Sequence, residues 1–171
     1  MTNNSKNTTL RALEPEDLEL LYTIENDRET WEVTSAKVCY SRYAIKQYLA
    51  SQPQEINIAG EMRFVITTGE GEAVGLIDLT NYSATDRSAE IGITMLKSHR
   101  GKGHGKEAIK EIEQFSKEML NLRMLYAHTL ACNETANKLF ASCGYQAVAT
   151  LPEWQFHMGK YEDLMVFKKK L

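Results

Sequence analysis

Apolar and polar residues alternate along several short stretches of the chain, which is the pattern of a half-buried β-strand. The clearest case is Ala89, Ile91, Ile93 and Met95, which are separated by polar or small residues. Similar stretches bounded by turn residues predict strands at residues 10–13, 62–67, 73–79, 123–131, 145–151 and 161–168. The sequence GEGE at residues 69–72 predicts a hairpin turn, so we expect the strands on either side of it to be antiparallel.

Four helices are predicted, three of them from apolar residues at steps of three and four and the first from its N-terminal signals. The first covers residues 15–26, with Pro15 in its first turn, and the second begins after Ser41 as its cap. The fourth covers residues 133–143 and ends at Gly144. The apolar faces of the second, third and fourth helices consist of Ile45, Tyr48 and Leu49; of Ala108, Ile109, Ile112, Phe115, Met119 and Leu120; and of Ala136, Leu139, Phe140 and Cys143.

The predicted elements follow one another in the order βααβββαβαββ, without an internal repeat or a linker-like segment. This order predicts an α/β (α+β) fold with a mixed, mainly antiparallel central sheet flanked by helices. At 171 residues and 43% hydrophobic content, residues 1–171 are expected to form a single domain with one sizeable core. The polar residues 1–7 are expected to form a frayed, flexible tail.

The amino-acid composition limits the binding partners, the kinds of site and the location that we expect. The net charge is −3 and basic residues are interleaved with acidic ones, so no long-range field would hold nucleic acid. The chain has three cysteines without CxxC spacing and four histidines without metal-ligand spacing, so we expect neither disulfides nor a metal site. With no apolar signal segment and no membrane span, a reducing cytoplasm is the expected location.

A glycine-rich loop follows the strand that ends near Met95 and precedes the third predicted helix. Glycines lack Cβ atoms, so successive backbone N–H groups of such a loop can point at one spot, and the helix adds its own free N–H groups. Strand, loop and helix in this order therefore predict a cradle for a pyrophosphate, although a flexible surface turn is the ordinary alternative. The candidate residues are Arg100, Gly101, Lys102, Gly103, His104, Gly105 and Lys106.

Two motifs carry a resemblance to a known family. The first is [QR]-x-x-G-x-[GA], here Arg100-Gly101-Lys102-Gly103-His104-Gly105, and the second is Asn133-Glu134-Thr135-Ala136 leading to Phe140 and Cys143-Gly144-Tyr145. Their order and interval resemble the GNAT N-acetyltransferase superfamily over about residues 10–171. The segments IENDRETWEV and HMGKYEDLMVF are similar to its spermidine (diamine) N-acetyltransferase branch and to the related ribosomal-protein N-terminal acetyltransferases.

The resemblance implies acetyl transfer from acetyl-CoA, as co-substrate, to a primary amine, with a polyamine such as spermidine as the candidate acceptor. It also implies that pantetheine pairs with the backbone of Ile93, Thr94 and Met95 and contacts Asn133, whose alternative role is an ordinary helix cap. A protonated amine cannot attack a thioester, so the reaction requires a base. Glu90 is the candidate, since its strand position lets it face a cleft; the alternative is a solvated residue paired with a neighbouring cation.

One position departs from the family pattern. The family commonly has a tyrosine seven residues after the motif asparagine, where it protonates the leaving thiolate, and this chain has Phe140 there. A thiol is already a fair leaving group, so the loss need not abolish catalysis. Tyr126 and Tyr145 are nearby in sequence and are interpreted as packing residues. A non-catalytic acyl-CoA-binding module is therefore the alternative from another functional class.

The acceptor is expected near the first helix, where the family builds its acceptor pocket. Carboxylates beside an aromatic residue suit a polyamine, and an exposed charged helix end is the equally weighted alternative. The candidates are Glu25, Glu29, Trp31 and Glu32, with Asp27 between them. By analogy alone, His157, Glu162 and Asp163 are expected to border the same cleft. The expected partners are a small-molecule amine or a peptide N-terminus, and a homodimer is the candidate assembly.

Overall fold

The computed structural model describes residues 8–31, 38–51 and 56–171, without the side chains of residues 57 and 58. Its strands are β1 (Thr8–Ala12), β2 (Met62–Thr68), β3 (Ala73–Ser83), β4 (Ser88–Met95), β5 (Met124–Leu130), β6 (Gln146–His157) and β7 (Lys160–Lys170). They form one seven-stranded sheet in the order β1-β2-β3-β4-β5-β7-β6.

The sheet is antiparallel except at its centre. Only β4 and β5 are parallel, and they pair over a short ladder of Ser88 with Met124, Ala89 with Leu125, and Glu90 with Tyr126. Beyond Glu90 the two strands separate, whereas β4 stays paired with β3 as far as Met95. The separation opens a gap in the middle of the sheet.

Six helices surround the sheet in the described part of the chain. They are α1 (Leu18–Glu25), α2 (Arg28–Trp31), α3 (Arg42–Ala50), α4 (Ile56–Ala59), α5 (His104–Glu118) and α6 (Glu134–Ser142). The Ser41 hydroxyl caps α3 by accepting from the N–H of Ala44 at 3.1 Å. After α6, Gly144 has a φ of 86°, which is the left-handed conformation typical of a glycine that ends a helix.

Different helices cover the two faces of the sheet. On one face α5 and α6 bury side chains such as Ile77, Ile109 and Phe140. On the other face α1 and α3 cover Leu76 and its neighbours. Since each buried aliphatic side chain contributes roughly 1.5–3 kcal/mol, the cluster under α5 and α6 stabilises strands on both sides of the gap, whereas the cluster under α1 and α3 stabilises β2 and β3.

The predicted fold class, a mixed and mainly antiparallel sheet flanked by helices, is confirmed. The prediction that Met119 lies on the buried face of α5 is wrong: this residue follows the last helical turn, and 71% of it is exposed. The short helices α2 and α4 were not predicted, because a single turn has no measurable period. The expected tail at residues 1–7 lies outside the described residues.

Candidate active site

The gap between β4 and β5 contains two cavities of about 490 and 510 Å³. They share Ile93 and Thr94 of β4 together with Asn133 and Ala136 at the start of α6. One cavity continues to Arg100 at the glycine-rich loop, and the other continues to Glu90 at the point where the strands separate. The gap therefore connects the loop with the carboxylate that the sequence singled out.

The glycine-rich loop has the backbone conformation of an anion cradle. Gly101 and Gly103 have φ values of 76° and 94°, a region that residues with a side chain rarely adopt. Gly103 caps α5 and accepts from the N–H groups of Lys106 and Glu107 at 3.1 and 3.2 Å. Within the described residues, no hydrogen-bond acceptor meets the N–H groups of residues 101–105. These donors are available to an anion at the positive end of the helix dipole.

The cationic side chains of the loop differ in what they contact. The Nε of Arg100 donates to the carbonyl oxygen of Met95 at 3.1 Å, and its guanidinium lies 3.6 Å from the Asp27 carboxylate. The ring of His104 shares a hydrogen bond of 2.9 Å with the hydroxyl of buried Thr8, so it fastens the loop to β1. Lys102 and Lys106 are exposed and add positive charge to the loop and to the first turn of α5.

Glu90 lies at the narrow end of the gap, where side chains on both sides hold its carboxylate. The amide nitrogen of Asn81 donates to Oε2 at 2.8 Å, and Nδ1 of His128 lies 2.9 Å from Oε1. Sequence reasoning missed both partners. His128 could have been found from the sequence, because it lies two residues beyond Tyr126 and alternation along a strand places both side chains on the same face of β5. Asn81 carried none, because a bulge in β3 sets its orientation.

A second carboxylate, Asp78 of β3, lines the same cavity and is paired. The guanidinium of Arg63 donates to both oxygens of Asp78 at 2.7 and 3.1 Å, and to Glu25 at 2.8 Å. Burial alone would lower the pKa of Arg63, but the charges of Asp78 and Glu25 raise it above its ordinary value. Two carboxylates on one cation leave this cluster with a net negative charge.

The predicted acceptor residues on α1 and α2 are engaged in local contacts. Glu25 is bound to Arg63, and the carboxylate of Glu29 lies within ion-pair distance of Lys97 and Arg100. The indole N–H of Trp31 donates to the carbonyl oxygen of Glu25 at 2.8 Å. Glu29 still lines the cavity that reaches Arg100. Glu32 lies outside the described residues.

The hairpin of β6 and β7 closes one side of the gap with residues other than the predicted ones. Its lining side chains are Leu151, Trp154, Gln155 and Leu164. His157 is buried, Glu162 pairs with Lys160 at 2.6 Å, and the Asp163 carboxylate accepts from the N–H of Glu153 at 2.9 Å. These three residues therefore do not line the cavity beside Glu90.

Phe140 lies between the cavity and the core. Its ring packs edge-on against Tyr145 at 5.2 Å and stacks on Phe167 at 6.1 Å, and it is buried. Burial raises the pKa of the Tyr145 phenol and the charge of Glu113 raises it further. Tyr145 lies behind Phe140 and does not line the cavity, so it offers no proton to it.

Asn133 has the helix-capping contact that its position predicts. Its Oδ1 accepts from the N–H of Ala136 at 3.1 Å. Its amide nitrogen has no hydrogen-bond partner among the described residues, and the residue lines both cavities. Capping and contact with a ligand are thus compatible.

Among the described residues, metal-ligating clusters and membrane-spanning helices are both absent. No cluster of three or more histidine, cysteine, aspartate or glutamate side chains is arranged to hold a metal ion. None of the helices there has the length and apolar content needed to cross a membrane.

Known proteins resemble the chain over most of its length. The sequence profile of the acetyltransferase (GNAT) domain family matches residues 7–146. Spermidine N(1)-acetyltransferase of Vibrio cholerae is 30% identical over 156 residues, which cover 91% of this chain and 88% of that protein. The crystal structure of the V. cholerae spermidine N-acetyltransferase in complex with CoA and spermine has a TM-score of 0.87 at 28% identity, covering 96% of this chain and 95% of that one. A dodecameric structure of the V. cholerae protein has a TM-score of 0.79 at 28% identity, covering 96% and 94%.

Proposed function

Because the chain belongs to the acetyltransferase (GNAT) family, we propose that it transfers the acetyl group of acetyl-CoA to a primary amine of a polyamine such as spermidine. The observation that carries the proposal is the gap between β4 and β5, which has free backbone N–H groups at one end and carboxylates at the other. The V. cholerae relative named for spermidine acetylation supports a polyamine as the acceptor.

The cofactor end of the gap, residues 100–106 with the start of α5, fits the pyrophosphate of acetyl-CoA. Its N–H groups are donors without acceptors in the described part of the chain, and Lys102 and Lys106 add positive charge. Past Glu90, the edge of β4 that faces the gap has no partner strand among the described residues. Residues 93–95 can therefore pair with the pantetheine arm as with an added strand.

The acceptor end of the gap, formed by Asp78, Glu90 and His128, fits a protonated amine. Asp78 and Gly92 are opposite each other on β3 and β4, and a Cβ at Gly92 would lie 4.0 Å from the Asp78 carboxylate, so the missing side chain leaves this carboxylate uncovered by β4. The apolar side chains of Leu151 and Trp154 lie beside them. A polyamine, which alternates cations with methylene groups, matches carboxylates next to apolar surface.

The chemistry at the acceptor end is removal of a proton from the ammonium group. An alkylammonium with a pKa near 10 has no lone pair at neutral pH, so a base must act before the nitrogen attacks. We infer that Glu90 belongs to this base. The leaving thiolate needs no tyrosine at position 140, since a thiol with a pKa of about 8.5 leaves readily and takes its proton from the amine or from water.

An amine panel with a free-thiol readout tests the proposal. Thiol release from acetyl-CoA is measured with spermidine, spermine, putrescine, an aminoglycoside and peptides that begin with Ser or Ala, and mass spectrometry identifies the acetylated product. We expect a polyamine to exceed the peptides in kcat/KM by at least about tenfold. A peptide as the better acceptor would replace the proposal with N-terminal acetylation. Tight CoA binding without turnover of any amine would replace it with a binding module.

We also infer that the chain self-associates through the hairpin of β6 and β7. Trp154, Phe156 and Tyr161 of this hairpin are each more than half exposed, and exposed aromatic residues of this size mark interaction surfaces. The dodecameric V. cholerae structure supports an oligomer without fixing its size for this chain. Sedimentation velocity at micromolar concentration is expected to give at least a dimer, and a monomer would contradict the inference.

A reducing compartment such as the cytoplasm is the proposed location. Cys39, Cys132 and Cys143 all lie in the described part of the chain and are free thiols. Fractionation of cells that express the chain tests this location.

A further inference from the structure

We propose that Nε2 of His128 is the atom that accepts the proton from the acceptor amine, and that Glu90 acts through His128 as a positioning residue. This inference deepens the proposed function, because it rests on an amine being the acceptor. It changes the role expected for Glu90 from the sequence, and it assigns a catalytic role to a residue that neither motif contains.

The contacts of Glu90 leave its carboxylate little freedom to act on a substrate directly. Oε2 accepts from Asn81, and Oε1 lies 2.9 Å from Nδ1 of His128. Asn81 has a φ of 49° at the bulge of β3, so the backbone itself is shaped to present this amide. A carboxylate with a donor on each oxygen is oriented like the aspartate that orients a catalytic histidine.

The hydrogen bond fixes the tautomer of His128. A carboxylate can only accept, so Nδ1 must carry the hydrogen in the bond to Glu90. In the neutral imidazole, Nε2 then has the lone pair and no hydrogen. Nε2 has no hydrogen-bond partner among the described residues, and 35% of the His128 side chain is exposed. A basic nitrogen is therefore available at the cavity.

The position of His128 suits a base for this reaction. It lines the cavity that also contains Ile93, Thr94 and Asn133, the residues expected beside pantetheine. It lies two residues beyond Tyr126, the last residue of β5 that pairs with β4. The Glu90 carboxylate is the more enclosed of the two groups, with 20% of its side chain exposed. The imidazole is thus the more exposed of the two groups in this cavity, which suits it for contact with the acceptor amine.

The titratable groups around His128 come from three strands. Glu90 faces it from β4, Asp78 of β3 lines the same cavity, and Tyr126 of its own strand packs edge-on at 5.6 Å. Burial raises the pKa of Tyr126 and the charge of Glu90 raises it further, so this phenol stays neutral. The residue opposite His128 on β7 is Val166, which does not titrate.

The proposed step moves two protons from the amine nitrogen and replaces a C–S bond by a C–N bond. One proton moves from the ammonium nitrogen to Nε2, and the freed lone pair forms the C–N bond to the acetyl carbonyl carbon. The C–S bond breaks with its electron pair going to sulfur, and the second nitrogen proton passes to sulfur to give the free thiol. Nε2 then returns its proton to solvent, so the products are the acetamide, the thiol and one proton.

Kinetics of three variants test the assignment. His128→Gln is expected to lower kcat by about 10²–10⁴-fold, the usual contribution of a general base, while the Kd of CoA changes little. The acidic limb of the kcat profile should disappear in this variant, and its deficit should shrink as pH approaches the amine pKa near 10. Glu90→Gln is expected to keep the acidic limb with a smaller loss. Tyr126→Phe is the matched control on the same strand and should remain within about threefold of the parent chain in kcat.

A measurement that does not depend on turnover separates this inference from the proposed function. ¹⁵N NMR of the imidazole should show the Nδ1–H tautomer in the parent chain and lose that preference in Glu90→Gln. Activity of His128→Gln within threefold of the parent chain, or an Nε2–H tautomer in the parent chain, would overturn the inference. A parent chain with the Nδ1–H tautomer and no activity on any amine would overturn the proposed function and leave the pairing of Glu90 with His128 supported.

Discussion

The two ends of the gap are built in opposite ways. The cofactor end uses main-chain N–H groups of consecutive residues, held by the left-handed conformations of Gly101 and Gly103. The acceptor end uses side chains from three strands, brought together by strand register and a bulge. The first therefore depends on backbone conformation and the second on side-chain chemistry. Substitutions at one end should therefore have effects that can be distinguished from those of substitutions at the other end.

The largest effect is expected from Gly103→Val at the cofactor end. Valine does not adopt the φ of 94° at this position, so the loop must rearrange and its N–H groups no longer converge. We expect CoA affinity to fall by at least about a thousandfold, equivalent to about 4 kcal/mol. Isothermal titration with CoA measures the change.

Gly105→Ala is the matched control for Gly103→Val. Its φ is ordinary, and an added Cβ would lie 3.5 Å from Leu139 and 3.6 Å from Ile93, which is normal van der Waals contact. CoA affinity within about fivefold of the parent chain is expected. Equal loss in both variants would show that glycine conformation is not what the cofactor end depends on.

The next largest effect is expected on stability from Arg63→Met, beside the acceptor end. The substitution leaves the largely enclosed carboxylates of Asp78 and Glu25 without their shared cation. We expect the free energy of unfolding to fall by about 2–4 kcal/mol, as for other broken ion pairs of low exposure. Urea unfolding monitored by circular dichroism measures it. Arg42→Met removes the exposed pair with Glu19 and should destabilise much less; the reverse order would contradict the assigned importance of the cluster.

A smaller, pH-dependent effect is expected from Asp17→Asn, which lies outside the gap. Burial opposes ionisation of Asp17, but two hydrogen bonds from Arg11 and one from the N–H of Glu14 outweigh it and lower its pKa. The folded state therefore favours the ionised form, and the stabilisation is complete above the unfolded pKa of about 3.9 and is lost as pH falls below it.

The expected cost of Asp17→Asn at pH 7 is about 1–2 kcal/mol of unfolding free energy, with little difference from the parent chain near pH 2. Urea unfolding at several pH values measures both. A cost that persists unchanged at low pH would show that the carboxylate charge is not responsible. The pH dependence of unfolding that comes from the pair of Asp17 and Arg11 is a reference with which pH effects at the acceptor end can be compared.

The smallest effect is expected from Phe140→Tyr, which restores the usual family residue between the two ends. Phe140 lines the cavity, so an added hydroxyl can donate to the leaving sulfur, and we expect kcat to rise by less than about tenfold. Phe167→Tyr adds the same hydroxyl to the same aromatic cluster away from the cavity and serves as the control. A similar gain in both variants would exclude proton donation at position 140.

The difference between the two ends also explains what the sequence could predict. Strand alternation, helix periods and a contiguous glycine motif are local signals, so the fold class, the caps at Ser41 and Asn133 and the conformation of the glycine-rich loop were accessible. The contacts of Glu90 were not, because a bulge in β3 and the length of the parallel ladder determine them. The pairing of Glu25 with Arg63 depends on α1 packing over β2, which no local pattern encodes.

Because the parallel ladder between β4 and β5 is short, the stability of the folded chain should depend on the concentration of a ligand bound beside it. Three residue pairs join the half-sheet β1–β4 to the half-sheet β5–β7. A molecule that binds along the free edge of β4 therefore adds contacts at the junction where the strands are paired over the shortest length. By mass action, a ligand at a hundred times its Kd raises the free energy of unfolding by about 2.7 kcal/mol. The melting temperature and protease resistance of this protein should therefore rise and fall with acyl-CoA concentration.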